Sequence, residues 1–350
     1  MPEKNLHKAR FYASALTPLI LIGLLLGIVL LTYFLGSRSL QRTTAEALIY
    51  VTLVVGFWIF VGNSGVISFA HAAFAMVGAY VSAWLTLRPV MKATLLEGLP
   101  QFLLDTQWPV LPAALMGGVV AMVLALLSGA AILRLSGIAA SIASFAFLAM
   151  MNTIWSNWSG VTGGTSTVAG LPRYVDMWVA LGWASVAIVA AAVYGLSSSG
   201  LALRATREDE VAAQASAIDQ YRHRLLAYTI SAFFCGVAGA LFGHYLGILN
   251  VGSFYLTMTF LMLAMLVVGG VGSLSGAVVG VIAISVCIEL FKGMERGVEF
   301  YGTQVMLPAG SKEVLIGVFM ILILIFRPLG LMAGHDLKPS SRWMLKFVGK

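Results

Sequence analysis

Long apolar runs separated by short polar stretches repeat along the whole chain. They lie near 16–36, 44–62, 70–87, 109–133, 138–157, 176–197, 223–246, 255–269, 274–292 and 312–327. About 20 apolar residues in a helix cross the hydrocarbon core of a bilayer, so the pattern predicts ten membrane-spanning helices. The last run is short, and Lys312 and Glu313 at its start must snorkel towards water. The first run follows the basic segment MPEKNLHKAR. It is too long for the apolar core of a secretory signal, and Gly36-Ser37-Arg38 makes a poor cleavage site, so it reads as an uncleaved first span. The expected fold class is all-α: a polytopic integral membrane protein of about ten transmembrane helices with broken or re-entrant segments, forming one transmembrane domain over residues 1–350.

Composition agrees with the pattern. Apolar side chains make up 60% of the 350 residues and charged ones 10%, with a mean hydropathy of +0.94. A soluble chain carries roughly 25% charged residues, and a surface this apolar would aggregate in water. A large soluble catalytic domain is therefore excluded. The formal net charge of +7 comes from 21 Lys and Arg against 14 Asp and Glu. With ten spans, thirteen of the basic residues fall on the side of the N-terminus, against six of the acids. The excess of Lys and Arg in cytoplasmic loops then puts both termini inside. With no polar domain to gather the charge, nucleic acid is not an expected partner; membrane lipid is. Cys235 and Cys287 both sit in apolar runs, without disulfide or metal-ligand spacing.

Four segments carry candidate chemistry. In GNSGVISFAHAAFAMVGAY (62–80), Gly62, Asn63, Ser64 and Gly65 read as a turn-like break before a small-residue helix. Non-helical backbone at membrane depth survives where protein or a watery cavity satisfies its amides, and a helix starting there points its positive end at an anionic or dipolar solute. A plain cytoplasmic hairpin is the alternative. Ser68 and His71 belong to the same segment. An ionisable intramembrane His is a candidate solute contact, and a packed residue bonded to a backbone carbonyl otherwise. The second segment, Trp155 to Pro172, centres on Thr162, Gly163, Gly164 and Thr165, whose hydroxyls and pliant backbone suit a carboxylate or a partner's edge; an ordinary external loop is the alternative. A further glycine-interrupted stretch, Gly247 to Phe254, pairs with Gly62 to His71 as a candidate trace of an inverted repeat.

The third segment, GLALRATREDEVAAQASAIDQYRHRLLAY (200–228), contains the longest polar stretch on the inner side. Thr206 is expected to cap a short helix whose first turn is Arg207, Glu208 and Asp209. Ala205, Ala212 and Ala213 give it a small smooth face beside mixed charge, as in a helix that a partner holds in a groove. A solvated connecting helix is the alternative. The fourth segment, Gly269 to Gly276, lacks the Lys-Ser/Thr of a nucleotide loop and reads as a tight turn between spans eight and nine. Glu289, near the end of its run, reads as snorkelling. No catalytic, cofactor-binding or metal-ligating constellation is visible, which weighs against a membrane enzyme. The lack of carboxylates in span interiors weighs against an ion-coupled secondary transporter.

Together these segments resemble the branched-chain amino-acid ABC importer permease family, of the LivM type. The resemblance rests on GNSG, Ser68, HAAF and Gly78-Ala79-Tyr80; on Thr162-Gly163-Gly164-Thr165 with Gly170-Leu171-Pro172; on GLALRATREDEVAAQA at 200–215; and on SAFFCGVAGALFGH (231–244), GGVGSLSGAVVG (269–280) and RPLGL (327–331). Ala70 stands where the family often has Gly, Ala217-Ile218-Asp219 replaces a common Gly-Ile-Asn, and the loop after Gly163 lacks the usual small polar run. The resemblance implies a permease domain over 1–350 with a coupling loop at 200–222 that docks an ATPase. The implied partners are a second related permease subunit, two cytoplasmic ATPase subunits and an external solute-binding protein. ATP and Mg chemistry would reside on the ATPases, with no cofactor on this chain and no enzymatic activity of its own. The implied location is the bacterial inner membrane, with branched-chain amino acids as solute; relatives import urea, short amides or other small carboxylates.

Overall fold

The computed structural model describes residues 2–135, 137–296, 298–300, 303–305, 308 and 311–337, of which 2–15, 296, 298–300, 303–305, 312 and 313 by backbone alone. Twelve helices carry the fold among them: α1 Pro2–Leu35, α2 Arg38–Ser64, α3 His71–Thr86, α4 Val110–Ile132, α5 Gly137–Asn157, α6 Met177–Leu196, α7 Ser198–Glu208, α8 Glu210–Ala215, α9 Gln220–Leu246, α10 Leu256–Gly269, α11 Leu274–Arg296 and α12 Ser311–Phe326. Short helical turns fill the remaining connections. Two small antiparallel strand pairs complete the described fold, β1 Val168–Ala169 with the distant β2 Ile248–Leu249, and the hairpin of β3 Val298–Phe300 with β4 Thr303–Val305.

The ten long helices coincide with the ten apolar runs. Eight are long and apolar enough to cross a membrane, α10 only together with the helical turn that precedes it from Val251. The other two, α3 and α12, have 16 residues each, or about 24 Å of rise, less than the roughly 30 Å of a hydrocarbon core. For α3 the shortness has a structural reason: the chain before it, residues 65–70, is not helical. The side chains of Lys312 and Glu313, and the basic residues of 338–350 used in the charge count, lie outside the described residues.

The chain divides into two compact units, Leu48–Leu263 and Met1–Ala47 with Ala264–Lys350. In the first, α3, α4 and α9 pack against one another as a core. The α3 sequence HAAFAMVGAYVSAWLT is apolar but for His71, Ser82 and Thr86, which favours burial on nearly every side, and 15 of its 16 residues are buried. Glycine brings the backbones together: a side chain at Gly78 would meet the Gly236 carbonyl, one at Gly117 the Gly78 carbonyl, and one at Gly239 the Ala75 carbonyl. Small residues replace the hydrophobic effect as the source of helix association where the solvent is itself apolar. The outer faces instead present Leu127, Ile138, Ile142 and Val193, all well exposed, as lipid contact requires.

Within the second unit, the glycine-rich stretch is the expected turn. α10 ends at Gly269, Gly270 takes φ +114° and α11 begins at Leu274. The RPLGL segment folds back over it, Leu331 N donating to Val268 O and Met332 N to Gly269 O at 2.8 and 3.0 Å. Glu289 differs from expectation. Its carboxylate accepts from Thr43 Oγ1 at 2.7 Å, and Lys292 lies 3.7 Å from Glu46. A partner hydroxyl on α2 removes the need to reach for water.

Candidate transport pathway and coupling site

All the candidate site residues fall in the unit Leu48–Leu263. The break after α2 begins later than the sequence suggested. Gly62, Asn63 and Ser64 remain helical, and Gly65, at φ +71°, closes the helix by donating N–H to Val61 O at 2.9 Å. A left-handed residue is the usual way to stop a helix, and glycine adopts it without a Cβ penalty. Asn63 does not break the helix because its amide donates back to Ile59 O at 2.9 Å.

The non-helical segment 65–70 is satisfied by protein. Ser141 Oγ on α5 donates to Ile67 O at 2.7 Å, and Phe69 N donates to Ser144 Oγ at 3.0 Å. Neither serine was singled out from the sequence, where nothing marks them. Ser68 Oγ meets His71 Nδ1 at 3.0 Å. His71 is fully buried among Phe57, Phe60, Phe74 and Tyr228, whose ring centroids lie 4.9–5.7 Å away. Its Nε2 and the Oδ1 of Asn63 are buried polar atoms without a partner among the described residues.

At the opposite end of α3, Thr162 is buried and its hydroxyl shares its one proton between Trp155 O and Trp158 O, while accepting from Gly164 N at 3.1 Å. Gly163 and Gly164 both take positive φ, and Thr165, exposed, accepts from Asn250 Nδ2 through its carbonyl at 3.1 Å. Thus Thr162 is spent on its own backbone and Thr165 is the open member of the quartet. The β1–β2 pair ties this loop to the stretch after Gly247, so the two candidate segments form one structure.

His244 sits beneath them. Its Nδ1 lies 3.0 Å from Pro172 O and its Nε2 2.8 Å from Ser82 Oγ. A carbonyl can only accept, so Nδ1 carries the proton and Nε2 accepts from the serine. The ring joins α9, α3 and the 170–172 loop. Sequence reasoning missed it; the only signal was Ser82 and Thr86, one turn apart on an otherwise apolar helix. Nearby, Lys92 is wholly buried and its ammonium donates to Leu103 O and Thr106 O. Burial pushes its pKa below the ordinary lysine value, with the Asp105 carboxylate opposing.

On the side of the break, the polar segment forms two helices. Ser197 caps α7, accepting from Gly200 N at 3.1 Å. Thr206 is not a cap: it lies inside α7, buried, donating to Leu203 O at 2.7 Å. The cap is Asp209, in extended conformation, accepting from Val211 N and Ala212 N at 3.0 and 2.9 Å. Its carboxylate both satisfies the free amides and opposes the helix dipole, which a threonine hydroxyl does only in part. Arg207 Nη1 donates to Gly62 O at 2.7 Å, linking α7 to the last turn of α2. Ala205, Glu208 and Ala212 are exposed. Ala213, expected on the smooth outer face, is 4% exposed and packs inward; the outer face of α8 is Val211, Ala212 and Ala215.

Two departures from the family pattern can be placed. Ala70 holds a right-handed helical conformation (φ −66°), so no glycine is needed there. Ala217 takes φ +60°, where glycine would be strain-free. Asp219 accepts from Arg222 N at 3.2 Å and so caps α9 as an asparagine would.

Among the described residues, no group of three or more His, Cys, Asp or Glu is placed to hold a metal ion. Helices with apolar outer faces, a broken helix at their centre and polar segments clustered at alternate ends define a multi-pass membrane permease. Residues 39–324 match the family described as branched-chain amino acid transport system / permease component, and the chain belongs to it. It is 25% identical to the high-affinity branched-chain amino acid transport system permease protein LivM of Escherichia coli strain K12, over 89% of this chain and 73% of that protein. The corresponding LivM of Salmonella typhimurium strain LT2 is equally similar. Permease protein LivH of Escherichia coli strain K12 is 26% identical over 83% of this chain and 92% of its own length. No solved structure matches the chain at comparable stringency.

Proposed function

We propose that this chain is one of two related permease subunits in an ATP-driven importer of branched-chain amino acids. Its partners in this reading are a second permease, two cytoplasmic ATPases, an external solute-binding protein and the surrounding lipid of a bacterial inner membrane. Both termini are cytoplasmic in this reading, which the distribution of Lys and Arg supports. The chain binds no cofactor and carries no catalytic residue; ATP and Mg act on the ATPases. Residues 200–222 form the coupling loop, with Ala205, Arg207, Glu208, Asp209, Ala212 and Ala213 shaping the dock. Gly62, Asn63, Ser64, Gly65, Ser68 and His71 on one side, and Thr162, Gly163, Gly164 and Thr165 on the other, bound the solute path.

The observation that carries the reading is the contact of Arg207 with Gly62. It joins the polar segment offered to a partner with the helix end at the break, so movement of one pulls on the other. ATPase closure then shifts the permease between outward- and inward-open states by binding one of them better.

The test is reconstitution in proteoliposomes with the neighbouring gene products. ATP-dependent accumulation of labelled leucine, isoleucine or valine is expected, requiring the ATPases and the binding protein. Preference for urea, short amides or small carboxylates would change the solute and leave the class. Uptake without ATPases, abolished by an ionophore, would replace the reading with ion-coupled secondary transport.

A further inference from the structure

A partly open cavity of about 350 Å³ lies beside the coupling helix, within the unit Leu48–Leu263. Arg134 and Leu135, after α4, form one wall. Glu210, the first residue of α8, forms the second, and Gln220 and Arg224, in the first turns of α9, form the third. Arg224 is 7% exposed and its Nε has no hydrogen-bond acceptor among the described residues; Gln220 Nε2 is likewise buried without one among them. Glu210 makes no ion pair within 4 Å with either arginine among the described residues.

A buried guanidinium N–H left without an acceptor is costly, and two guanidinium groups against one carboxylate leave the cavity net positive. Arg134 and Arg224 present donors only, since guanidinium groups accept nothing, and the unpartnered atom of Gln220 is its donor nitrogen. A ligand that fits is negatively charged and rich in acceptor oxygens. At the cavity itself Leu135 exposes an apolar side chain, and Leu127 on α4 and Ile138 on α5 are exposed near it in sequence, as contact with acyl chains needs. Basic pockets between transmembrane helices suit anionic lipid head groups.

We propose that this cavity binds a phosphate group, supplied by the head group of an anionic phospholipid in the adjoining leaflet. The phosphate oxygens accept from Arg134, Arg224 and Gln220, and Glu210 weakens the site.

The test uses the purified full-length chain in nonionic detergent, with native mass spectrometry counting adducts. Phosphatidylglycerol, phosphatidylcholine and inorganic phosphate are titrated separately. One tightly held phosphatidylglycerol is expected, with phosphatidylcholine weaker. Arg134→Gln and Arg224→Gln each weaken it about tenfold, as loss of a charge-assisted hydrogen bond predicts. Glu210→Gln strengthens it. Arg134 is exposed, so its variant remains informative if Arg224→Gln fails to fold, and the Glu210→Gln gain cannot arise from misfolding. Saturable binding of inorganic phosphate, sensitive to the same variants and without phosphatidylglycerol selectivity, would make soluble phosphate the source. Equal retention of both lipids with no phosphate binding, or wild-type retention by Arg134→Gln, would overturn the proposal. None of these readouts depends on transport, so the proposed function stands or falls separately.

Discussion

The guanidinium of Arg207 donates to the carbonyl of Gly62 across 2.7 Å, joining residues 145 positions apart. Gly62 O is one of the last four carbonyls of α2, which have no partner within the helix. A cation there gains both the hydrogen bond and the favourable end of the helix dipole. Arg207 is otherwise exposed, so the bond contributes near the low end of the 1.5–3 kcal/mol typical of charged pairs. Arg207→Gln is expected to lower ATP-coupled uptake several-fold while partner copurification stays near wild type. A parallel fall in both would assign Arg207 to the docking surface alone. Unchanged uptake would remove the link.

Glycine packing gives a second expectation. A Cβ at Gly239 would fall on the backbone of Ala75, which cannot rotate away. Overpacking a well-packed core typically costs about 1–3 kcal/mol, and a backbone obstacle puts Gly239→Ala at the upper end. Gly182→Ala on α6 meets nothing within 4 Å. Thermal unfolding in detergent should show a clear loss for the first and none for the second. Equal melting would mean that α3 and α9 do not approach as closely as described.

Much of this arrangement was legible in the sequence. The ten runs gave the ten long helices because burial in lipid imposes apolarity over a whole span. The small-residue helix after the break was read, but not the central burial of α3 that the structure shows. The break was misplaced because Gly62 looks like punctuation, whereas it is small to accommodate the Trp58 indole one turn earlier. Thr206 and Asp209 are both competent caps, and only the backbone conformation distinguishes them. His244 was invisible because its partners, Ser82 and Pro172, lie 162 and 72 positions away. No local pattern encodes such a contact.

The turn after α8 is strained by its own sequence. Ile218 N donates to Ala213 O and Ala217 N to Gln214 O, at 3.1 and 3.0 Å, a pairing that requires a left-handed residue at 217. That conformation costs an L-residue roughly 1–2 kcal/mol. Glycine avoids the cost and returns about 0.5–1 kcal/mol through the greater freedom of its unfolded chain. Ala217→Gly should therefore stabilise this turn by about 0.5–1 kcal/mol. Slower hydrogen exchange at 214–220 would register it; faster exchange would mean that the left-handed turn is not maintained in solution.

Docking can be separated from folding on α8 itself. Ala212 and Ala213 are adjacent, have the same side chain and share one short helix, yet Ala212 is exposed and Ala213 is 4% exposed. A large residue at 213 must displace the chain's own atoms, at about 1–3 kcal/mol. A large residue at 212 points to solvent in the isolated chain and costs it little. Against a partner's groove the order reverses: Ala212→Trp holds the surfaces apart, and 1.4 kcal/mol of lost contact is about tenfold in affinity. Ala212→Trp should therefore keep the melting temperature of the isolated chain while reducing ATPase copurification and uptake about ten- to a hundredfold. Ala213→Trp should lower the melting temperature first. The asymmetry matters because a variant that unfolds the chain also loses its partners. Wild-type copurification and uptake with Trp at 212 would show that the exposed face of α8 touches no ATPase, and the dock would then have to be sought on the remainder of residues 200–222.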